Sequence, residues 1–160
     1  MTDYSRDCLE QMTFPDLNIS IYSGLCEHSG QLYNVTRLDM RIDGPVGLAF
    51  DERDTIFFGL HEHRKVLQVD LTHNTGSLVC TCSSAPRYMS YDANTGNVLV
   101  TTFGGVAVID SGSRSRNLEV RYGGGNDIGS LKFLRVGMAD DIIQLDSNTW
   151  LFTDESLNRY

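Results

Sequence analysis

Short runs of alternating apolar and polar residues recur along most of the chain, and polar or glycine-containing turns separate them. Residues 44–51 form one such run, residues 55–59 a second, and residues 65–70 a third. Alternation of this kind, in runs rich in β-branched and aromatic residues, is typical of half-buried β-strands. No long stretch has the period of an amphipathic helix, although residues 130–136 could form one short helical turn. The pattern therefore predicts an all-β protein.

The same order of features occurs three times: a strand that ends in aspartate, a short polar turn, and a second strand. The aspartates are Asp51, Asp92 and Asp146, and the first two stand about forty residues apart, the repeat length of a propeller blade. An insertion near residues 126–137 lengthens the second interval. Four strands in each of the first two units predict a β-propeller of four-stranded antiparallel blades, with third and fourth strands at residues 65–70 and 76–82, and at residues 105–110 and 117–122.

The first repeat carries a more specific signature. Residues 44–51 begin with the pattern Pro-x-Gly-hydrophobic, and the basic residue Arg64 precedes the third strand. This arrangement resembles an NHL repeat, and the resemblance extends over residues 18–160, where residues 150–154 are also similar to the related Tyr-Trp-Thr-Asp propellers. The second repeat departs from the pattern, because Arg87 and Tyr88 stand where glycine and a hydrophobic residue are expected. The resemblance implies an architecture and says little about activity.

The repeats divide the chain into five predicted parts: an N-terminal extension (1–17), an outer strand and link of a preceding blade (18–43), blades at 44–84 and 85–128, and an insertion with a truncated blade (129–160). The resemblance implies a ring of about six blades, so this length predicts an incomplete ring. Open blade edges attract other strands, and we therefore expect self-association. The first strands should pack between blades through Leu48, Phe50, Met89, Tyr91, Ile143 and Leu145.

Charge and hydropathy exclude two classes of partner. The formal net charge is −8, and so acidic a surface repels phosphate backbones, which argues against nucleic acid. No run approaches the ~18 apolar residues that a membrane helix needs. We therefore predict neither a nucleic-acid partner nor a membrane span.

The sequence is compatible with more than one cellular compartment. Cys80 and Cys82 stand two apart on a predicted strand, which predicts that they are not bonded to each other, and the four cysteines lack a zinc spacing. Asn18 and Asn34 begin candidate N-glycosylation sequons. An extracellular location follows if the chain is a fragment of a secreted protein, and a cytoplasmic one follows if Met1 is the native start.

The loops between second and third strands share one face with the links between blades, and loops on a rigid scaffold commonly carry binding. The predicted binding face consists of His61, Glu62, His63, Arg64, Phe103, Glu155 and Asn158. His61 and His63 could in principle hold a metal together with a carboxylate, but a polar hairpin turn is the favoured interpretation. The repeated aspartates are interpreted as turn-stabilising residues, and the glycine run at residues 123–126 as an inter-blade link.

These observations lead to two hypotheses about function. The first is a non-enzymatic binding scaffold for a protein or glycan partner, with no catalytic residues and no cofactor. The alternative is part of a metal-dependent propeller hydrolase or lyase, similar to calcium-dependent lactonases or amidating lyases. Those propellers need ligands that converge on the central channel from several blades, and metal analysis of the purified protein separates the two hypotheses.

Overall fold

The computed structural model describes residues 1–103, 105–110, 119–122, 139–146 and 149–154. Within these residues every regular element is a β-strand, which confirms the all-β prediction. No helix in the described part is long and apolar enough to cross a membrane. The strands are β1 (Thr2–Asp3), β2 (Cys8–Thr13), β3 (Asn18–Ser23), β4 (Val35–Thr36), β5 (Pro45–Phe50), β6 (Thr55–Leu60), β7 (Lys65–Asp70), β8 (Thr75–Thr81), β9 (Pro86–Asp92), β10 (Asn97–Thr102), β11 (Gly105–Asp110), β12 (Glu119–Tyr122), β13 (Ala139–Asp146) and β14 (Thr149–Asp154).

The strands form four antiparallel sheets in which consecutive strands are neighbours. Strands β5–β8 form one sheet, with the short β4 added outside β8, and β9–β12 form the next. Strands β1–β3 form a three-stranded sheet before them, and β13–β14 form a two-stranded sheet after them. Hairpin connections between four consecutive strands are the construction of a propeller blade.

The N-terminal residues belong to this arrangement, because they form most of the three-stranded sheet. Strand β1 pairs with β2, and β2 pairs with β3 along most of its length. Strand β2 reads Cys-Leu-Glu-Gln-Met-Thr and lacks a clear alternation of apolar and polar residues. Burial at the start of β2 comes from tertiary contacts, since Leu9 packs into the core of the next sheet.

The core consists of two apolar layers on either side of the β5–β8 sheet. In β6, Ile56 and Phe58 face the layer shared with Leu9 and the link before β5, while Phe57 faces the layer shared with β9 and β10. All three side chains are almost completely buried. Strand β6 is therefore a central strand with an apolar run on both faces, and it joins the two layers.

The packing predicted for the first strands holds in part. Met89 is buried, and Leu48 and Tyr91 are partly buried against the two layers. The prediction for Phe50 is wrong, because this side chain is 57% exposed and the neighbouring Ala49 is buried instead. Phe50 lies at the rim of an open cleft beside β2, and no strand among the described residues covers it there. The side chains of Ile143 and Leu145 lie outside the described residues.

The glycine of the Pro-x-Gly pattern has a definite packing role. Gly47 has a φ of 55° and lies at a bulge in the pairing of β5 with β6. A Cβ at this position would stand 2.5 Å from the carbonyl oxygen of Arg87 and 2.9 Å from the Cα of Tyr88. Gly47 therefore permits the first strands of two adjacent sheets to approach closely, which explains the residue type at this position of the repeat.

The cysteines fall into two classes. Cys8 and Cys26 form a disulfide that ties β2 to the link preceding β5. Cys80 and Cys82 are buried free thiols, so the prediction that they are not bonded to each other is confirmed. Both belong to the layer between the β5–β8 and β9–β12 sheets.

Replacing Gly47 with alanine should destabilise the protein by roughly 2–5 kcal/mol. The left-handed backbone contributes about 1–2 kcal/mol, and overpacking against the backbone of β9 contributes about 1–3 kcal/mol. Gly30→Ala is the matched control, because Gly30 also has a positive φ but its Cβ would meet only the side chain of Arg41 at an ordinary 3.5 Å. Urea denaturation measures the free energy of unfolding of both variants. Equal losses of stability in the two would contradict the packing role of Gly47.

The buried hydroxyl of Tyr33 should make the folded protein less stable at alkaline pH. Its hydroxyl is buried without a hydrogen-bond partner among the described residues, and desolvation raises its pKa to about 12. A raised pKa means that the folded state holds the phenolic proton more tightly than the unfolded state does. The protonated hydroxyl therefore contributes fully to the free energy of unfolding below about pH 10, and this contribution is lost between about pH 10 and 12. The free energy of unfolding of the Tyr33→Phe variant should decline less in this window. Unfolding curves of both proteins at pH 7 and pH 11 measure the difference. An identical decline would contradict this prediction.

Candidate functional site

Three segments meet at one end of the sheets and form what we call the loop face: the β6–β7 turn (residues 61–64), the link before β9 (residues 82–85), and Phe103 after β10. The turn has four residues because Leu60 pairs directly with Lys65 across the hairpin. Two clefts of about 390 and 410 Å³ open on this face, and His61 and Glu62 line both. The first is otherwise lined by Thr2, Tyr4, Pro45, Val46, Gly47, Arg87 and Tyr88, and the second by Arg64, Ser83, Ser84, Ala85 and Phe103.

His61 is held by the neighbouring sheet. Its Nδ1 lies 3.2 Å from the carbonyl oxygen of Pro86, so Nδ1 carries the proton and donates to this oxygen. Its ring also meets the ring of Phe103 edge to face, with 5.9 Å between the centroids. The half-buried imidazole is therefore fixed where the two clefts adjoin.

Glu62 connects the turn to the N-terminal sheet. The hydroxyl of Tyr4 donates a hydrogen bond of 2.9 Å to Oε1 of Glu62. This bond to a carboxylate raises the pKa of Tyr4 above its ordinary value. Because Tyr4 follows β1, the contact brings the three-stranded sheet to the edge of the first cleft.

His63 belongs to a separate network. Its Nε2 lies 2.8 Å from Oδ2 of Asp43, and its Nδ1 lies 2.8 Å from the amide nitrogen of Gln31. The amide nitrogen can only donate, so Nδ1 accepts and Nε2 donates to the carboxylate. Lys65 in turn donates to the amide oxygen of Gln31. This network fixes the link before β5 to the turn and lies apart from the clefts.

The two histidines hydrogen-bond to different segments of the chain. Among the described residues one group has the spacing of metal ligands: Cys8, Glu10 and Cys26. Its cysteines form the disulfide, and Glu10 pairs with Arg6 at 2.6 Å. Two oxidised cysteines cannot supply thiolate ligands.

The interpretation of the repeated aspartates as turn residues is confirmed where the side chains are described. Asp51 accepts hydrogen bonds of 2.9 Å from the backbone nitrogens of Arg53 and Thr55. Asp92 accepts from the backbone nitrogen of Asn94 and from the hydroxyl of Thr95. The side chain of Asp146 lies outside the described residues.

The structure brings together four of the predicted binding residues and adds others that sequence reasoning missed. His61, Glu62, Arg64 and Phe103 line the clefts, whereas Glu155 and Asn158 lie outside the described residues, as does the glycine run at 123–126. The residues that sequence reasoning missed include Tyr4, Arg87 and Tyr88. The Arg87 guanidinium lies 5.0 Å from the centroid of the Phe103 ring. The departure of the second repeat from its pattern at residues 87–88 was the signal that could have identified two of them.

Both candidate glycosylation sites are accessible. Asn18 begins β3 and Asn34 precedes β4, and both residues are exposed. Modification at these positions stays a prediction.

Comparison with known proteins identifies the fold. No family model matches the chain, and no curated protein matches it. Among solved structures, it is similar to a β-propeller gluconolactonase from Xanthomonas campestris, described as important in glucose secondary metabolic pathways, with 17% sequence identity and a TM-score of 0.54. The match covers 94% of this chain and 45% of the gluconolactonase, so the chain spans less than half the length of its neighbour. Together with the sheets described above, this similarity shows an all-β propeller arrangement of four-stranded antiparallel blades in an incomplete ring.

Proposed function

We propose that the chain is a non-enzymatic binding scaffold that holds a glycan or a protein segment on its loop face. The observation that carries this proposal is the pair of adjoining clefts that share His61 and Glu62. Together they form a trough that crosses from the first strands to the link before β9. An elongated ligand suits a trough of this form better than a compact one.

The chemistry of the trough supports this class of ligand. Tyr88 and Phe103 are both exposed and offer flat apolar surfaces to a sugar ring or an apolar side chain. Glu62 and Arg64 are exposed groups of opposite charge that can bind hydroxyl, amide or charged groups. Each cleft has a volume in the ordinary range for ligand sites, and together they accommodate a few residues of either polymer.

The walls of the trough are fixed by contacts within the protein. Tyr4 holds Glu62, and the carbonyl of Pro86 holds His61. A wall that is ordered before binding loses little conformational entropy when the ligand arrives. The same contacts orient the side chains toward structural partners. Nucleophilic catalysis would require a hydroxyl or thiol that is hydrogen-bonded to a histidine. In the described residues no hydroxyl or thiol hydrogen-bonds to His61 or His63.

A second function deserves a test because of the fold. The similarity to a gluconolactonase supports a propeller hydrolase, although at 17% identity it shows the fold alone. In this alternative the chain would supply part of a metal-dependent site, and residues beyond those described would complete it.

Glu62→Gln and Phe103→Ala should weaken binding to the ligand selected from glycan and peptide arrays by at least about tenfold each, or ~1.4 kcal/mol. The first change removes a charged acceptor, and the second removes a flat wall of the trough. Glu52→Gln is the matched control, because Glu52 is exposed in the β5–β6 turn at the opposite end of the sheet. Titration calorimetry measures the affinities. Equal affinities for all three variants would indicate that the ligand binds elsewhere on the protein, and would reject the loop face as the binding site.

Metal analysis and a lactone-hydrolysis assay decide between the two functions. The scaffold proposal predicts less than stoichiometric calcium and zinc after purification, and no turnover of aldonolactones in the presence of either ion. Stoichiometric metal together with hydrolysis that a chelator abolishes would reject the scaffold and establish the hydrolase.

A further inference from the structure

We propose that Cys80, Cys82 and Met89 form a binding site for a soft monovalent metal ion, Cu(I). The two thiols are free and buried, and neither lines a cleft of the loop face. This inference is independent of the ligand on the loop face. It depends on three sulfur-containing side chains that lie together in the apolar layer between the β5–β8 and β9–β12 sheets.

The backbone holds the two thiols on one face of the same strand. Cys80 lies opposite Val66 in the register of β7 with β8. The backbone nitrogen of Cys82 donates a hydrogen bond of 2.6 Å to the carbonyl oxygen of Arg64, so the pairing continues past the end of β8. Side chains two residues apart on a paired strand point to the same side. Both thiols therefore enter the same apolar layer, where they are 4% and 6% exposed.

The two thiols are also close enough to share a proton. The thiol of Cys82 donates a hydrogen bond to the sulfur of Cys80, and this bond lowers the pKa of Cys80. The backbone N–H of Val66 is a second donor that lowers the same pKa. The hydrogen bond to Cys80, together with burial, raises the pKa of Cys82. The pair therefore loses one proton more readily than two, and the resulting single negative charge lies on Cys80.

The chemistry of these side chains selects a soft ion of single charge. Thiolate and thioether sulfur bind Cu(I), whereas calcium and magnesium take oxygen ligands. Met89 is 6% exposed and belongs to the same apolar cluster as the two thiols, so its thioether is a third soft donor in the layer. One positive charge neutralises the thiolate of Cys80. A divalent ion would leave an uncompensated charge among apolar side chains, which is costly.

Binding exchanges a proton for the metal. The proton of Cys80 passes to solvent, and a bond between Cu(I) and the thiolate sulfur forms in its place. The thiol of Cys82 and the thioether of Met89 bind as neutral donors. No change of oxidation state is involved.

The two thiols remain available to a metal ion. The chain has four cysteines, and the other two, Cys8 and Cys26, are already joined in a disulfide. The spacing of Cys80 and Cys82 on a strand opposes a bond between them. Cys82 begins the link before β9, and residues 83–85 of this link line the second cleft of the loop face. An ion that enters this cleft therefore reaches the chain one residue from Cys82.

Anaerobic competition for Cu(I) with a chromophoric chelator tests the proposal. Wild-type protein should bind one equivalent of Cu(I). Cys80→Ser and Cys82→Ser should each weaken this binding by at least about 100-fold, the upper end of the loss that follows removal of a group behind a ligand. Met89→Leu should weaken it by a smaller factor, since a neutral donor is lost and the volume is kept.

Ser83→Ala is the matched control, because Ser83 is exposed, adjoins Cys82 and has no sulfur. Its affinity for Cu(I) should equal that of the wild type. Melting curves show that each variant is folded, and Cys80→Val replaces Cys80→Ser if the latter is not. No binding at one equivalent, a preference for Zn(II) over Cu(I), or equal affinities of the wild type and both cysteine variants would each overturn the proposal. The last of these outcomes would locate the ion at other side chains.

Discussion

The burial of β6 on both faces is the constraint on which the rest of the structure depends. Ile56 and Phe58 enter one apolar layer and Phe57 enters the other, so a single strand joins three successive sheets. Each fully buried side chain of this size contributes about 1.5–3 kcal/mol relative to an exposed one. The β5–β8 sheet can satisfy both faces only when a sheet lies on each side of it. A stack of sheets, and hence a propeller, is the arrangement that follows.

The candidate site follows from the same strand. When β6 ends at Leu60, the next four residues must turn, and the closeness of the flanking sheets decides which partners their side chains find. His61 reaches the start of β9, Glu62 reaches Tyr4 of the N-terminal sheet, and His63 reaches Asp43 in the link. Adjacent residues of one turn therefore contact three different segments. This divergence gives the two histidines different partners and produces a trough with fixed walls.

The exposed apolar residues have a common physical origin. The exposed residues have the types that other strands of this chain bury, yet no described strand covers them: Met12, Ile19, Ile21, Phe50 and Leu151. An arc of sheets has two end faces, and each end face repeats the chemistry of an internal blade contact.

The sequence by itself determined the strands, their hairpins and the blade repeat, because alternation of side chains and turn residues such as Asp51 are local properties. It also determined that Cys80 and Cys82 are not bonded to each other. The tertiary structure alone decided that β1 and β2 join a sheet and that Phe50 is exposed. It also brought Tyr4, Arg87 and Tyr88 to the loop face. Those outcomes depend on which sheets lie beside one another, and contacts between distant segments leave no periodic signal in either segment.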